Sequence, residues 1–593
     1  MKNIRKTMTF SVMGAACLAA QAADFKLGDS IDGKFNATVT LGTQIRAESP
    51  NPEVYSAQPS LAVPGMPRGK LAGQTNGSDL NYAQGNPIST VVKGAFDLDI
   101  KKDSFGVFVR GNVWRDLVQE QTSVPYGNYP NAFVPNTALS DNGFSSSAKF
   151  NNAELRDYFA YGKFDLGNSR AVDAKVGRQV LQWGGSLFTT GGINSAINPV
   201  DYASQLRAGA LPTDGKLPVG MISAKLTTGS GWSAEGFLPY EFRSAALPGC
   251  GTYFDVASFA PEGCNFAALA GASEQASLAA GNYLHRNADA TPQSAGQFGL
   301  AIGFKSAPLN TEFRGYAMNT HSTMPSIRMT VNNTTVVSQL SANYANLYVP
   351  DVTLFGASFS SKLNPTATLF GEVAYRPNQP INLNGFDAVA AFVQHAGILA
   401  QNKGTATIPV GGVFDAYDRF GVITASVGTG KVFPKALGAE RVSITAELGF
   451  SHVDGLPDPK VLRYGRQLPY NGASYTNAAG AATACTPSVP GKTCTTDGYI
   501  TTDAWGLRAL VSATYVDALL GASLTPSLLI AQDMDGYSYD GTFSQGRSTV
   551  RSGVRADWGK SYFMDLQYTQ FGGGNYNLTA DRSYLGLTAG ARF

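Results

Sequence analysis

The carboxy-terminal segment of the chain, Ser583 to Phe593, alternates without interruption between apolar residues and small or polar ones. Its apolar positions are Leu585, Leu587, Ala589, Ala591 and Phe593. Successive side chains of a β-strand point to opposite faces, so all these apolar residues would lie on one face. A tilted strand of about 9–11 residues is long enough to cross a bilayer. The segment is therefore typical of the closing strand of a transmembrane β-barrel, with lipid on its apolar face and water on the other.

The same alternation recurs along the rest of the chain. We predict about eighteen strands of this kind, at residues 33–46, 88–101, 105–116, 150–165, 171–181, 217–228, 231–241, 295–305, 310–320, 350–360, 366–376, 418–429, 440–452, 503–516, 521–533, 546–558, 560–571 and 582–593. The gaps between them are alternately short, as periplasmic turns are, and long, as extracellular loops are. The sequence thus predicts an all-β fold: a transmembrane antiparallel up-and-down β-barrel with long extracellular loops and some short loop helices.

Residues 1–22 are typical of a secretory signal peptide. A basic start and an apolar stretch at residues 8–20 precede the small residues of an Ala-Gln-Ala cleavage site. We expect cleavage near Ala22 and a single barrel domain over residues 23–593. An exported β-barrel of this kind is expected in the outer membrane of a Gram-negative bacterium.

Composition excludes several other classes of protein. No run of about 20 apolar residues follows the signal peptide, so helical membrane spans are not predicted. Hydrophobic residues make up 43% of the chain, charged residues make up 15%, and the formal net charge is +2. This balance excludes an intrinsically disordered chain and predicts no nucleic-acid partner.

Of the five cysteines, Cys17 lies in the predicted signal peptide, and the other four form two local pairs. Cys250 and Cys264 lie in one long predicted loop, and Cys485 and Cys494 lie in another. The oxidising periplasm permits a disulfide within each pair. Neither pair has C-x-x-C spacing and the four histidines are scattered, so we predict no metal site and no cofactor.

A glycine-rich segment, residues 182–216, occupies the third long loop. In general porins this loop folds back into the lumen and makes a constriction. The segment contains Trp183, Leu187, Phe188, Ile193 and Ile197, which are too apolar to lie comfortably in water. We therefore favour an inward fold that narrows the lumen over the alternative of a glycine-rich surface loop.

Short motifs are spread over nearly the whole mature chain. They are Gly106-Val-Phe-Val-Arg110, Gly177-Arg-Gln-x-x-x-Trp-Gly-x-Ser, Gly192-Ile-Asn, Asn198-Pro-x-Asp201, Gly296-Gln-Phe-Gly299, Pro350-Asp-Val-x-Leu-Phe-Gly356 and Tyr375-Arg-Pro-Asn378. Together they resemble the outer-membrane family known as domain of unknown function 1302. The chain departs from that pattern at Gly185, where Glu is expected, and at Ala208-Gly209, where Pro-Gly is usual.

The family resemblance implies partners and a class of cargo. Proteins of that family look like partners of a periplasmic family with a lipoprotein-carrier-like fold, and of permeases of the resistance-nodulation-division type. The resemblance therefore implies traffic of lipids or other hydrophobic compounds. Outer-membrane lipid would surround the barrel itself.

The predicted lumen face carries charges of both signs. They are Lys93, Asp97, Asp99, Arg110, Glu372, Arg376, Glu447, Arg508, Arg551, Arg555 and Asp565. Opposed charges can orient a solute in a narrow wet pore, although ion pairs along the wall are the favoured alternative for most of them. We favour Arg110 and Arg376, because each lies in a motif of the family resemblance. With the third loop included, the candidate pore or constriction residues are Arg110, Arg178, Trp183, Asn194, Asn198, Asp201, Glu372 and Arg376.

Two features leave alternatives open. Arg178 shares its phase with apolar residues of its strand, and a bulge at Gly177 would be needed to turn it inward. The apolar stretches 266–280 and 386–401 predict short loop helices. Such helices either pack against other loops or gate a substrate, and the sequence favours neither.

Catalytic motifs do not support an enzyme. The chain contains neither a G-x-S-x-G elbow nor an H-E-x-x-H pair, so we predict no catalytic activity. We predict an outer-membrane channel or transporter for a hydrophobic or amphipathic, lipid-like compound, passive or driven by a partner. The alternatives are a general diffusion porin for hydrophilic solutes and, less favoured, a surface adhesin or assembly scaffold.

Overall fold

The computed structural model describes residues 23–71, 77–268, 272–335, 338–470, 472 and 489–593. Within them, eighteen strands form one closed antiparallel barrel, in which each strand pairs with its neighbours in sequence. The predicted signal peptide, residues 1–22, lies outside the described residues. The fold class and the strand number predicted from alternation are therefore confirmed.

The barrel strands are numbered β1 to β18 in chain order. They are Ile31–Arg46, Pro87–Lys102, Phe105–Asp116, Asn151–Gly167, Arg170–Gln179, Val219–Thr227, Trp232–Pro239, Phe298–Ser306, Thr311–Thr320, Val352–Asn364, Ala367–Asn382, Tyr417–Pro434, Arg441–Val453, Asp503–Leu519, Ala522–Asp535, Arg547–Trp558, Tyr562–Gly573 and Tyr584–Arg592. The barrel closes where β18 pairs with β1, and the backbone groups of Phe593 and Ala37 exchange hydrogen bonds of 3.0 and 2.8 Å. A short strand, Ala23–Leu27, folds back on the first residues of β1.

The two faces of the barrel wall differ as the alternation predicts. Outward apolar residues are exposed, such as Leu448 on β13 at 46%, whereas the adjacent Glu447 points inward and is 1% exposed. Exposed aromatic residues gather at the strand ends beside the short turns, namely Phe105, Trp232, Phe433, Trp558 and Tyr562. An apolar band edged by aromatic residues is the surface that a bilayer covers.

Short turns join the strands at one end of the barrel, and long loops join them at the other. We call these the turn end and the loop end. Six α-helices lie in the described parts of the loops: α1 Ala57–Ser60, α2 Leu117–Gln121, α3 Tyr202–Gln205, α4 Glu274–Ala279, α5 Gly385–Val393 and α6 Ile398–Lys403. Among the described residues, no helix is both long enough and apolar enough to cross a membrane.

Short elements complete the described loops. The strands outside the barrel are Ser123–Val124, Thr137–Ala138, Phe266–Ala267, Leu284–His285, Ser326–Val331, Ala342–Leu347 and Val413–Asp415. The 3-10 helices are Gly77–Asn81, Tyr129–Asn131, Ser146–Ala148, Ile193–Ala196, Pro212–Asp214, Gln339–Ser341, Thr405–Thr407 and Leu468–Tyr470. The loops therefore form a structured layer over the loop end of the barrel.

Candidate pore site

The loop between β5 and β6, residues 180–218, lies inside the barrel, and we call it the lumen loop. It contains the predicted constricting segment, residues 182–216. Inward-facing side chains contact it from β1 to β4 on one side of the lumen and from β9, β11, β12 and β13 on the other. These side chains are Thr40, Lys93, Asn112, Arg156, Tyr316, Glu372, Thr424 and Glu447. The lumen loop thus reaches from one wall of the barrel to the other.

The carboxylate of Glu447 holds one segment of the lumen loop. Its Oε2 accepts hydrogen bonds from the backbone N–H groups of Leu187, at 2.7 Å, and Phe188, at 3.1 Å. Its Oε1 accepts from the N–H of Thr189, at 2.8 Å, and from Oγ of Ser186, at 2.7 Å. These four donors replace the water that a buried anion loses, and hydrogen bonds to a charged acceptor are strong. The sequence placed Glu447 on the lumen face but gave no sign of this anchoring contact.

Glu372 holds the neighbouring part of the lumen loop. Its Oε2 accepts from the backbone N–H groups of Gly185, at 2.7 Å, and Ser186, at 3.1 Å. Its Oε1 accepts from the N–H of Ile193, at 3.0 Å. The predicted pore residue Glu372 therefore binds the loop backbone through both carboxylate oxygens.

The glycines of the lumen loop permit this close approach to the wall. A Cβ on Gly184 or Gly192 would collide with the Glu372 carboxylate, and a Cβ on Gly185 would lie 2.6 Å from the carbonyl oxygen of Gly371. Gly184 also has a φ of +95°, which favours glycine. Position 185, where the resembled family has Glu, thus has no room for a side chain in this arrangement.

Asn198 ties together the two ends of the lumen loop. Its Nδ2 donates to the carbonyl oxygens of Gln179, at 3.1 Å, and Leu217, at 3.0 Å. Its Oδ1 accepts from the N–H of Leu181, at 2.9 Å. The side chain is fully buried, so these three bonds satisfy groups that water cannot reach.

Asp201 joins the lumen loop to β4. Its Oδ2 lies 2.6 Å from Nη1 of Arg156, and both side chains are buried. Its Oδ1 accepts from the N–H of Ser204, at 3.0 Å, which caps α3. Further along the loop, Asp214 pairs with Lys93 of β2. Asp201 and Asn198, both predicted site residues, therefore fix the loop in place.

Trp183 and its apolar neighbours pack against the lumen wall. The Trp183 ring centroid lies 5.0 Å from that of Phe237 on β7 and 5.6 Å from that of Tyr316 on β9. The whole cluster contains Leu181, Trp183, Ile193, Ile197, Val219, Met221, Phe237, Ala301, Tyr316, Met318, Leu354 and Ala374. The wall from β6 to β11 thus carries an apolar strip that shields the loop from water, whereas Leu187 remains 63% exposed.

A cavity of about 400 Å³ lies between the lumen loop and β11, and we call it the lumen cavity. Arg376 lines it and is 4% exposed. Its Nη2 donates to the carbonyl oxygen of Gly192, at 2.8 Å, while Nη1 has no hydrogen-bond partner among the residues that the structure describes. Lys216 also lines it, and its Nζ donates to the carbonyl oxygen and to Oδ1 of Asn194, both at 2.7 Å. Burial lowers the pKa of Lys216 to about 8.

A second cavity, of about 510 Å³, lies among the loops, and we call it the loop-end cavity. Its lining is mostly apolar and includes Phe259, Leu284, Ile327, Met329, Val389 and Phe543. Asn382 and Tyr539 line both cavities, so the two adjoin. Burial raises the pKa of Tyr539 to about 12, which keeps its hydroxyl neutral.

One of the predicted loop helices, α5, borders the loop-end cavity. Helices α5 and α6 lie within the predicted stretch 386–401 and its margins, and α4 lies within 266–280, of which 269–271 are outside the described residues. Ala388 and Phe392 of α5 pack in a buried cluster with other loops, and Val389 packs against that cluster. Ala388 and Val389 also line the cavity. The helix thus packs against other loops, and a role in gating a substrate stays a prediction.

Arg110 is held in ion pairs along the wall. Its Nε and Nη2 donate to the two carboxylate oxygens of Asp97, at 2.7 and 2.8 Å, and its Nη1 lies 3.7 Å from Asp157. Arg508 pairs in the same manner with Asp533, at 2.5 Å. These residues match the wall ion-pair alternative, and Arg110 is not brought together with Arg376.

Arg178 lies apart from the other candidates, on the outer face of the barrel. It pairs with Tyr158 in the β4–β5 register, which runs without a shift through Gly177, and Tyr158 is an exposed outward residue. Its guanidinium lies 5.5 Å from the Tyr158 ring centroid, and its Nε donates to Oε2 of Glu241 at 2.9 Å. The expected bulge is absent from this pairing, so strand alternation keeps Arg178 outside the pore.

One predicted disulfide lies within the described residues. Cys250 and Cys264 are bonded to each other. Cys494 is disulfide-bonded as well, and Cys485, its predicted partner, lies outside the described residues. In the described ranges, no group of three or more His, Cys, Asp or Glu side chains is arranged to hold a metal ion. The absence of a cofactor stays a prediction.

Comparisons with known proteins give one family and several remote structural relatives. The outer-membrane channel DcaP of Acinetobacter baumannii has 9% sequence identity and a TM-score of 0.36, and the alignment covers 96% of this chain and 100% of that one. Acinetobacter baumannii OccAB4 and Pseudomonas aeruginosa OccK1 (OpdK) each have 9% identity and a TM-score of 0.39; their alignments cover 97% and 94% of this chain and 99% and 98% of theirs. No curated protein matches the sequence significantly. Residues 4–593 match the family described as "Protein of unknown function (DUF1302)", and the chain therefore belongs to this family, as its motifs predict.

Proposed function

We propose that this protein is an outer-membrane channel whose lumen loop narrows the passage, and that a hydrophobic or amphipathic compound crosses it through the two adjoining cavities. The observation that carries this proposal is the apolar loop-end cavity, which adjoins a cavity inside the barrel lumen. Cavities of about 300–1,000 Å³ with apolar walls and a few polar groups are typical sites for small apolar ligands.

The outer face of the barrel supports a location in a membrane. Exposed leucine, valine and phenylalanine side chains continue from strand to strand, and aromatic residues edge them at the turn end. Such a large apolar surface would be unfavourable in water, whereas lipid covers it at no such cost. With the long loops outside the cell, the short turns would face the periplasm.

The lumen loop supports a narrowed passage rather than an open pore. The carboxylates of Glu372 on β11 and Glu447 on β13 hold residues 185–193 against the wall. Asn198 ties together the two ends of the loop. A solute must pass beside this segment, where the lumen cavity lies. We propose no catalytic role for any of these residues.

The partners implied by the family resemblance fit this route. A periplasmic protein with a lipid-carrier-like fold would exchange the compound at the turn end, and a permease of the resistance-nodulation-division type would drive the traffic. Transport by the barrel alone would be passive, since a channel supplies no energy of its own. We propose no nucleic-acid partner.

Photolabelling tests the proposed route. We expect a long-chain alcohol that carries a diazirine, applied to the protein in native outer membranes, to label peptides that line the loop-end cavity. Val389→Trp fills this cavity and should reduce the labelling about tenfold, whereas Val410→Trp, on the exposed surface of the same loop, should not change it. Labelling confined to the outer wall of the barrel would contradict the proposal.

Planar-bilayer recordings separate this function from general diffusion. A narrowed lumen predicts a small single-channel conductance, and liposomes that contain the protein should swell little in sugar solutions. A large steady current together with rapid swelling would favour the diffusion porin instead. A variant with shortened loops tests the third function. If it still transports the compound but no longer contacts cells, the adhesin or scaffold is favoured.

A further inference from the structure

Arg376, which is buried, and Lys216, which is half-buried, line the lumen cavity, and neither forms an ion pair with another described residue. We propose that they bind the anionic head group of the transported compound while its apolar body occupies the loop-end cavity. This inference rests on the proposed function and names its substrate class, an amphiphile with a single negative charge such as a carboxylate. The head group would replace the hydrogen-bond acceptor that Arg376 lacks.

Among the described arginines that are buried, Arg376 differs in its partners. Arg46, Arg156 and Arg463 are equally buried, and each has a carboxylate partner at 2.6 to 2.8 Å. Within the described part of the chain, Arg376 has one hydrogen bond, to the carbonyl oxygen of Gly192, and its Nη1 has none. An unpaired buried charge is unfavourable, because it loses its water without gaining an equivalent partner. A bound anion would remove that penalty.

Lys216 offers a second donor in the same cavity. An ammonium group has three N–H donors, and Lys216 uses two of them on Asn194. Both groups lie on the lumen side, Arg376 on β11 and Lys216 on the lumen loop. The cavity therefore has a cationic donor on the wall and another on the loop.

The acidic groups of the cavity do not take the place of this anion. Glu372 is satisfied by three backbone N–H groups of the lumen loop. Asp540 accepts hydrogen bonds from Oγ of Ser538, at 2.8 Å, and from the N–H of Thr542, at 3.0 Å. Their negative charges would repel a second charge on the ligand, which is why we infer a monoanion.

His321 lines the cavity, and both of its ring nitrogens lie within hydrogen-bond distance of backbone groups. Its Nδ1 lies 3.1 Å from the N–H nitrogen of Asp351. Its Nε2 lies 2.9 Å from the carbonyl oxygen of Gln293. Arg376 and Lys216 are the arginine and the lysine that face the cavity among its described lining residues.

The two cavities together match the two parts of an amphiphile. The lumen cavity supplies the donors, and the loop-end cavity supplies most of the apolar surface. Arg466 and Arg547 also line the loop-end cavity, but Arg547 is paired with Asp533 and Arg466 donates to the carbonyl oxygens of Tyr470 and Thr495. Asn382 and Tyr539 lie where the cavities adjoin, and their neutral polar groups suit the junction between a head group and an alkyl chain. A compound that extends through this junction satisfies both sites at once.

A pair of matched probes tests the inference. Diazirine-labelled dodecanoate and diazirine-labelled dodecanol differ only in the head group, and both are applied to the protein in native outer membranes at a pH that ionises the acid. We expect the acid to half-saturate the labelling of cavity peptides at a concentration about tenfold lower than the alcohol. Arg376→Gln should abolish that difference by weakening the acid alone.

Control variants show whether the effect is local. Arg551→Gln removes an inward cation that lines neither cavity and should leave both probes unchanged. Lys216→Met changes a loop residue, and it should weaken the acid about tenfold even if Arg376→Gln fails to fold. Heat-modifiable electrophoretic mobility reports folding for every variant.

The outcomes separate this inference from the proposed function. If neither probe labels the cavities, the proposed function fails. If both probes label them equally and neither Arg376→Gln nor Lys216→Met changes the labelling, the inference fails and the proposed function stands. Preference for the acid that persists in both variants would also overturn the inference.

Discussion

Glu447 and Arg508 lie directly opposite each other in the β13–β14 register, yet they form no ion pair. Arg508 binds Asp533 at 2.5 Å, and Glu447 binds the lumen loop through four hydrogen bonds. Opposite charges on neighbouring strands ordinarily stabilise each other. Here the loop donors are the stronger partners, because three backbone N–H groups and one hydroxyl converge on the Glu447 carboxylate.

Replacement of Glu447 tests this anchor. In Glu447→Gln one oxygen becomes an NH₂ group, which faces N–H donors and cannot accept from them. We expect the barrel to fold but residues 186–189 to leave the wall, since each lost hydrogen bond to a charged group costs about 1.5–3 kcal/mol. Single-channel recordings should then show a larger or fluctuating conductance.

A matched variant controls for loss of charge in the barrel. Glu312 lies at the turn end of β9 and is exposed. The conductance of Glu312→Gln should therefore equal that of the unchanged protein. The loop would not depend on this carboxylate if Glu447→Gln left the conductance unchanged and also left hydrogen exchange at the Leu187 and Phe188 amides unchanged.

Among the elements, the strands follow from the sequence and the lumen loop does not. Period-two alternation locates most of the barrel strands, because each has lipid on one side and water on the other. Residues 310–320, at β9, show no clear apolar face in the sequence. The path of residues 180–218 has no period, since it depends on contacts with eight strands that are distant in sequence. Asn198 and Asp201 were identifiable from their motif, but their partners Gln179 and Arg156 were not.

The Tyr375-Arg-Pro-Asn378 motif shows what such a pattern encodes. The β11–β12 register shifts between Arg376 and Gln379, where Pro377 has no N–H to donate. At this break the side chain of Asn378 makes a hydrogen bond to the neighbouring strand β10: its Oδ1 accepts from the N–H of Thr353, at 2.9 Å. The motif thus forms a break in the strand beside Arg376. The sequence analysis singled out Arg376 but could not predict this break.

Helix α4 carries a group that makes the loop layer sensitive to pH. Glu274, at its first turn, is buried and hydrogen-bonded to the hydroxyl of Tyr126, and burial raises its pKa to about 7. A carboxyl whose folded pKa is raised binds its proton more tightly in the folded loops, so its contribution is full below the unfolded value of about 4.5 and is lost as the pH rises through about 7. We expect limited proteolysis near α4 to be slower at a pH of about 5 than at about 8.

Glu274→Gln can keep the hydrogen bond to Tyr126 but cannot titrate. The rate of limited proteolysis near α4 should therefore lose most of its pH dependence in this variant. Glu440→Gln, at an exposed turn between β12 and β13, should retain it. Asp255 has a pKa raised to about 6 by burial and contributes with the same sign, so a small dependence should remain in Glu274→Gln. Proteolysis that is faster at the lower pH would contradict the assignment.

Across the whole molecule, the barrel wall can be predicted from the alternation in the sequence, whereas the contents of the lumen cannot. For Arg178 the strand phase and the family motif gave different predictions. Its phase predicts an outward position, and the structure places it there, although its motif pointed to the pore. Family motifs therefore mark structurally demanding positions as well as functional ones. The two cavities are assembled from loops distant in sequence, and alternation carries no signal for them.

Adjacent residues of β14 test the membrane-facing wall directly. Val511 is outward and 38% exposed, beside the outward Ile444 and Leu528, whereas Ser512 faces the lumen between Ser443 and Ser527. Val511→Arg would place a charge in lipid near the middle of the strand, and we expect a loss of about 2–4 kcal/mol in the free energy of unfolding from vesicles. Ser512→Arg adds the same side chain to the wet lumen and should cost no more than about 1 kcal/mol. Urea titrations followed by heat-modifiable mobility measure both, and equal losses, or a larger loss for Ser512→Arg, would mean that lipid does not cover this face.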